Sequence, residues 1–69
     1  MSEITRRIRV YGIVQGVGFR PTVSRHATSN GIRGNVCNKG PYVEIYAQGS
    51  ADQVDGFLKD LEEEGYDFE

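Results

Sequence analysis

Two short stretches of the chain alternate apolar and polar residues, and a third repeats its apolar residues at helical spacing. From Arg6 to Ile13, Ile8 and Val10 fall on one side and Arg7, Arg9 and Tyr11 on the other. That period of two belongs to a strand with one buried face. Residues 42–47 alternate in the same way, with Val43, Ile45 and Ala47 inward and Tyr42, Glu44 and Tyr46 outward. Ala51, Val54, Phe57, Leu58 and Leu61 make the apolar stripe of a helix. Ser50 with Gln53 supplies its capping box, Glu62 to Glu64 are solvated, and Gly65 ends it.

Between these segments, Pro21 suits a first helical turn and Asn30-Gly31 suits a helix end, so a helix is predicted over 21–30. Thr22, Val23, Ser24, Thr28 and Ser29 are indifferent helix formers, so packing through Val23 and Ala27 must hold it. Residues 32–38 read as a second strand, and Asn38-Lys39-Gly40-Pro41 as a turn. The order β-α-β-β-α predicts an α+β domain, a ferredoxin-like split-βαβ sandwich with two helices on one face of an antiparallel sheet. Its final strand is expected to be short or missing. Residues 1–69 read as one domain, without an internal repeat or linker.

The single cysteine, Cys37, forms no internal disulfide, which favours a reducing compartment. No apolar run reaches a membrane span and no signal-peptide core is visible, so a cytoplasmic location is expected. Charge is divided sharply along the chain. Residues 1–39 carry seven Arg and Lys against Glu3 alone, +6, whereas residues 40–69 carry Lys59 against nine carboxylates, −8, for a net −2. The positive half suits an anionic ligand, and the two halves also neutralise each other across the fold.

The positive half contains Val14-Gln15-Gly16-Val17-Gly18-Phe19-Arg20-Pro21, a two-glycine loop between the first strand and the first helix. Glycines let a tight turn converge its N–H groups, and the helix end adds partial positive charge. Arg20 can close its planar fork on two oxygens of a phosphate. On composition alone the same segment is also a plain strand-to-helix turn. The topology adds a second element: parallel first and second strands bring their C-terminal ends to one edge of the sheet. Asn38 ends the second strand there, and by parity it shares the helix-covered face with Val36.

These residues resemble the acylphosphatase family, whose pattern V-x-G-V-x-F-R is followed by a G-x-V-x-N strand end. Here they stand as Val14-Gln15-Gly16-Val17-Gly18-Phe19-Arg20 and Gly34-Asn35-Val36-Cys37-Asn38. Pro21 after the arginine, and Val36-Cys37-Asn38, look like a subgroup: the acylphosphatase-like N-terminal domain of the carbamoyltransferase that matures nickel–iron hydrogenases. The resemblance implies that Arg20 and Asn38 are catalytic and that Gln15, Gly16, Val17, Gly18, Phe19 and Arg20 bind the phosphate of an acyl phosphate. Asn38 would orient the attacking water, and the substrate in the carbamoyltransferase would be carbamoyl phosphate. No cofactor is implied, and one His, one Cys and scattered carboxylates make no metal site.

The family carries a further strand after the second helix, where this chain has only Tyr66-Asp67-Phe68-Glu69. Either these last residues give a vestigial strand or the chain is a fragment of a larger protein, and without that partner the first strand is expected to be an exposed edge open to homodimerisation. A different class of function also fits the fold. Tyr11, Tyr42 and Tyr46 share the open sheet face with Arg7 and Arg9, as an RNA-binding sheet would require. The net acidity of the chain and the absence of an RNA-binding motif on the third strand count against it. An anion-binding domain without turnover is a third reading. His26 is expected at a surface or packing position, and Cys37 as a small apolar filler facing away from the site.

Overall fold

The computed structural model describes residues 2–11 and 18–69. The chain runs β1 (Ile4–Tyr11), α1 (Phe19–Ser29), β2 (Arg33–Asn38), β3 (Tyr42–Gly49), α2 (Ala51–Glu63) and β4 (Asp67–Phe68). One four-stranded sheet has the order β2-β3-β1-β4, and each neighbouring pair is antiparallel. β1 and β2 therefore run parallel on either side of β3, and both helices cover one face. This is the ferredoxin-like arrangement predicted from the pattern of elements.

The inward residues of β1 and β3 meet the helices in a single core. Ile8, Val10, Val43, Ile45 and Ala47 of the sheet pack with Phe19 and Val23 of α1 and Phe57 and Leu61 of α2. Phe57 and Leu61 are completely buried, each worth about 1.5–3 kcal/mol of transfer free energy. Val23 anchors α1 as expected, with Ala27 half-buried beside it. Polar contacts add to the helix pairing: His26 Nε2 lies 2.7 Å from Glu64 Oε2, and Asn30 Nδ2 donates to Asp60 Oδ2 at 2.8 Å.

Several boundaries differ from the sequence expectation. β1 begins at Ile4 rather than Arg6, and its expected end at Gly12-Ile13 lies outside the described residues. α1 begins at Phe19, so Arg20 is already helical and Pro21 is not the first helical residue. The reason is Gly18, whose left-handed backbone (φ 107°) turns the chain immediately ahead of the helix. β3 continues to Gly49.

The last residues form the vestigial strand. Val10 faces Phe68 and Tyr11 faces Asp67, and Arg9 and Glu69 exchange both backbone hydrogen bonds, at 3.0 and 2.9 Å. Phe68 and Tyr66 pack against the core, Tyr66 edge-on to Phe19 with ring centroids 5.0 Å apart.

One residue adds to the sequence expectation. Glu44 lies on the open face as its parity requires, yet it is only 4% exposed. Nε of both Arg7 and Arg9 lies 3.8 Å from its Oε2, Lys39 Nζ lies 3.9 Å from Oε1, and the Tyr46 hydroxyl donates to Oε1. Long cationic side chains folded over the sheet remove this carboxylate from water, which alternation alone does not foresee.

Candidate anion-binding and catalytic site

The two helices begin in opposite ways. α2 has a complete capping box: Gln53 N–H donates to Ser50 Oγ at 3.2 Å, and Ser50 N–H to Gln53 Oε1 at 2.8 Å. Asp52 adds a carboxylate to its first turn. α1 has Gly18 at its cap, no side-chain hydrogen bond there, and no acidic residue in its first turn. Its first backbone bond joins Thr22 N–H to Gly18 C=O at 3.0 Å, and Pro21 has no N–H to offer. Among the described residues nothing accepts the N–H groups of Phe19 and Arg20.

Arg20 adds a full cation to this positive helix end and finds no carboxylate partner among the described residues. A cation at a helix N-terminus is unfavourable by about 0.3–1 kcal/mol, and packing does not demand it, since Arg20 is exposed. Among the described residues, open main-chain donors, a guanidinium without a carboxylate partner and a left-handed glycine come together at this helix end, a combination chemically suited to an anion. The Phe19 ring is buried against Tyr66 and the core, which leaves only its amide at this helix end. Gln15, Gly16 and Val17 lie outside the described residues.

Asn38 sits at the C-terminal end of β2. It pairs with Val43, which faces the core, so the asparagine projects on the helix-covered side. Its Oδ1 accepts the Gly40 N–H at 2.9 Å, which fixes the carboxamide within the turn. Arg20 and Val36 line one cavity, and Asn38 follows Val36 by two residues at the end of β2. β1, parallel to β2, ends at the same edge of the sheet.

The cavity itself was not anticipated. It is a trough of ≈ 380 Å³ between α1 and the edge strand β2, floored by Val23, Ala27, Ile32 and Val36. Glycine spacing was the one available signal. Gly34 adopts φ +148°, and a side chain there would run into the Tyr46 carbonyl. On the open face, by contrast, Tyr11 and Tyr42 engage each other, Arg9 lies over Tyr42, and Tyr46 bonds Glu44. The Tyr11 and Tyr42 rings are 5.5 Å apart, and the Arg9 guanidinium lies 5.7 Å from the Tyr42 centroid. Cys37 is exposed on that same face, opposite Glu44.

Among the described residues no helix is long and apolar enough to cross a membrane, and no three His, Cys, Asp or Glu side chains are placed to share a metal ion.

Comparison with known proteins bears on the whole arrangement. The acylphosphatase family model matches residues 6–67. A probable carbamoyltransferase HypF of Methanocaldococcus jannaschii is 53% identical over 55 residues, covering 80% of this chain and 7% of that protein. An acylphosphatase of Caldivirga maquilingensis is 47% identical over 60 residues, covering 84% of this chain and 63% of that one. The crystal structure of full-length HypF in its phosphate- and nucleotide-bound form superposes with a TM-score of 0.84 at 34% identity, over 90% of this chain and 8% of that chain. The chain thus spans less than two-thirds of each of these proteins. With its sequence pattern and its sheet topology both matched, the chain belongs to the acylphosphatase family.

Proposed function

We propose that this chain hydrolyses the carboxyl–phosphate anhydride of acyl phosphates. The phosphate is held by residues 15–20, and Asn38 orients the attacking water. The observation that carries this reading is the α1 N-terminus, which among the described residues has no side-chain cap and no carboxylate partner for Arg20, lining one cavity with Val36 of the strand that ends in Asn38.

Water attacks phosphorus, the bond from phosphorus to the acyl oxygen breaks, and the carboxylate departs with that electron pair. The water proton passes to the phosphate product. A carboxylate is a good leaving group, so the protein's task is to position water and stabilise charge on the phosphoryl oxygens. Main-chain donors and the Arg20 fork supply the stabilisation. With its oxygen engaged by Gly40, the Asn38 carboxamide offers its N–H group to the water oxygen, leaving a lone pair for phosphorus. The likeness to HypF supports carbamoyl phosphate as a substrate, and a place as the N-terminal domain of a longer carbamoyltransferase that matures nickel–iron hydrogenases.

Benzoyl phosphate hydrolysis by the chain and by two variants tests this. Arg20→Ala is expected to abolish both turnover and inorganic phosphate binding. Asn38→Ala is expected to retain phosphate binding and lose most of the rate. Equal rates in all three proteins would refute the assignment.

A further inference from the structure

We infer that the trough between α1 and β2 is the acyl subsite of this domain, and that it takes an uncharged aromatic or branched aliphatic acyl group. The inference rests on Arg20 holding the phosphate, as proposed above, and adds the substrate class.

The trough starts at Arg20 and runs down one side of α1, past Val23, Ser24, Ala27 and Thr28. These positions recur at three- and four-residue steps, so they form one stripe about 12 Å long at 1.5 Å per residue. Opposite them lie Ile32 and Val36 at the edge of the sheet. The phosphate end is therefore continuous with an apolar floor.

Two features decide the chemistry of the occupant. The first is size. A water occupies about 30 Å³, so ≈ 380 Å³ equals roughly a dozen waters, far more than a carbamoyl or acetyl group fills. Small-molecule sites begin at about 300 Å³. The second is charge. Arg33 borders the far end, but Glu3 already grips it through both carboxylate oxygens at 2.7 and 2.8 Å. Arg20 is then the groove's one guanidinium without a carboxylate partner among the described residues. A ligand with a single anionic end and a neutral apolar body matches this, and a second carboxylate on the acyl chain does not. Carbamoyl phosphate would use only the Arg20 end.

Gly34 keeps the sheet-side wall low, since its backbone approaches Tyr46 where no side chain fits. Ser24 and Thr28 are exposed along the rim, so the trough is open to solvent on that side.

Phenylphosphonate and methylphosphonate separate the two ends of the site without any turnover. Titration of the chain with each, followed by NMR, is expected to show phenylphosphonate binding about tenfold more tightly. Ala27→Leu fills the floor, and Ser24→Leu closes the rim from an exposed position that leaves the core intact. In both variants the ratio is expected to fall to near one, with inorganic phosphate affinity unchanged. Equal affinities in the unaltered chain, or a ratio that survives both variants, would overturn the subsite. If the ratio behaves as expected while benzoyl phosphate is not hydrolysed, the subsite stands and the catalytic reading fails.

Discussion

The Tyr46 hydroxyl donates a 2.8 Å hydrogen bond to Glu44 Oε1 on the same strand, two residues earlier and on the same face. That bond, with burial and the nearby carboxylate charge, raises the Tyr46 pKa above the ordinary phenol value, against a smaller opposing pull from Lys39 and Arg7. The fold therefore favours the neutral phenol. This contribution to stability is complete below the ordinary phenol range and disappears as pH climbs through the raised value. Denaturant midpoints measured across the alkaline range should fall more steeply for the native chain than for Tyr46→Phe. Parallel curves would remove Tyr46 from the account.

Glu44→Leu puts a harder question to the open face. It leaves Arg7, Arg9 and Lys39 gathered around an apolar side chain, and Arg9 Nε is already buried without a hydrogen-bond partner. A loss of about 1–3 kcal/mol is expected by urea titration. An unchanged midpoint would mean that the cations simply swing into water.

Gly34→Ala should destabilise by about 2 kcal/mol or more, among the larger effects of a small substitution. The added methyl meets the main-chain carbonyl of Tyr46, which cannot move without parting β2 from β3. Gly18→Ala meets no atom of the described residues, and its expected cost comes from the left-handed backbone. Comparing the two by thermal unfolding separates steric from conformational strain; equal losses would contradict the close approach at Gly34.

His26→Ala removes the contact to Glu64 and the one to Asp60, where Nδ1 lies 3.4 Å from Oδ2. A loss of about 0.5–1.5 kcal/mol is expected, with Arg25→Ala, on the exposed side of the same helix, as the silent control. Identical losses in the two variants would deny His26 any part in joining α1 to α2.

Ser50→Ala opens the capping box of α2 and should cost about 1 kcal/mol, read from the urea midpoint. An unaltered midpoint would mean that solvent serves the freed amides equally well.

Much of this architecture was legible before any coordinates. Alternation at Ile8–Val10 and Val43–Ala47 identified the buried sheet face because a strand leaves its residues only two directions. Helical spacing from Ala51 to Leu61 worked as well, since one stripe must face the core. The parallel relation of β1 and β2, which puts their ends at one edge of the sheet, followed from the order of the elements. The burial of Glu44 was not legible because it depends on three side chains from other segments, and local alternation carries no word of them. The start of α1 shifted because Gly18 turns the backbone more abruptly than Pro21 suggests. The trough was invisible because it is a gap between elements, set by how closely Gly34 lets β2 approach β3.

The brevity of β4 leaves a graded boundary along β1. Arg9 exchanges hydrogen bonds with Glu69, whereas the main-chain groups of Arg7 and Thr5, alternate residues with the same outward direction, extend past the end of that strand. Deuterium should therefore enter the Thr5 and Arg7 amides quickly and the Arg9 amide slowly, a step within three ladder positions. Ile4, 42% exposed, lies beyond Thr5 on the same side of that step.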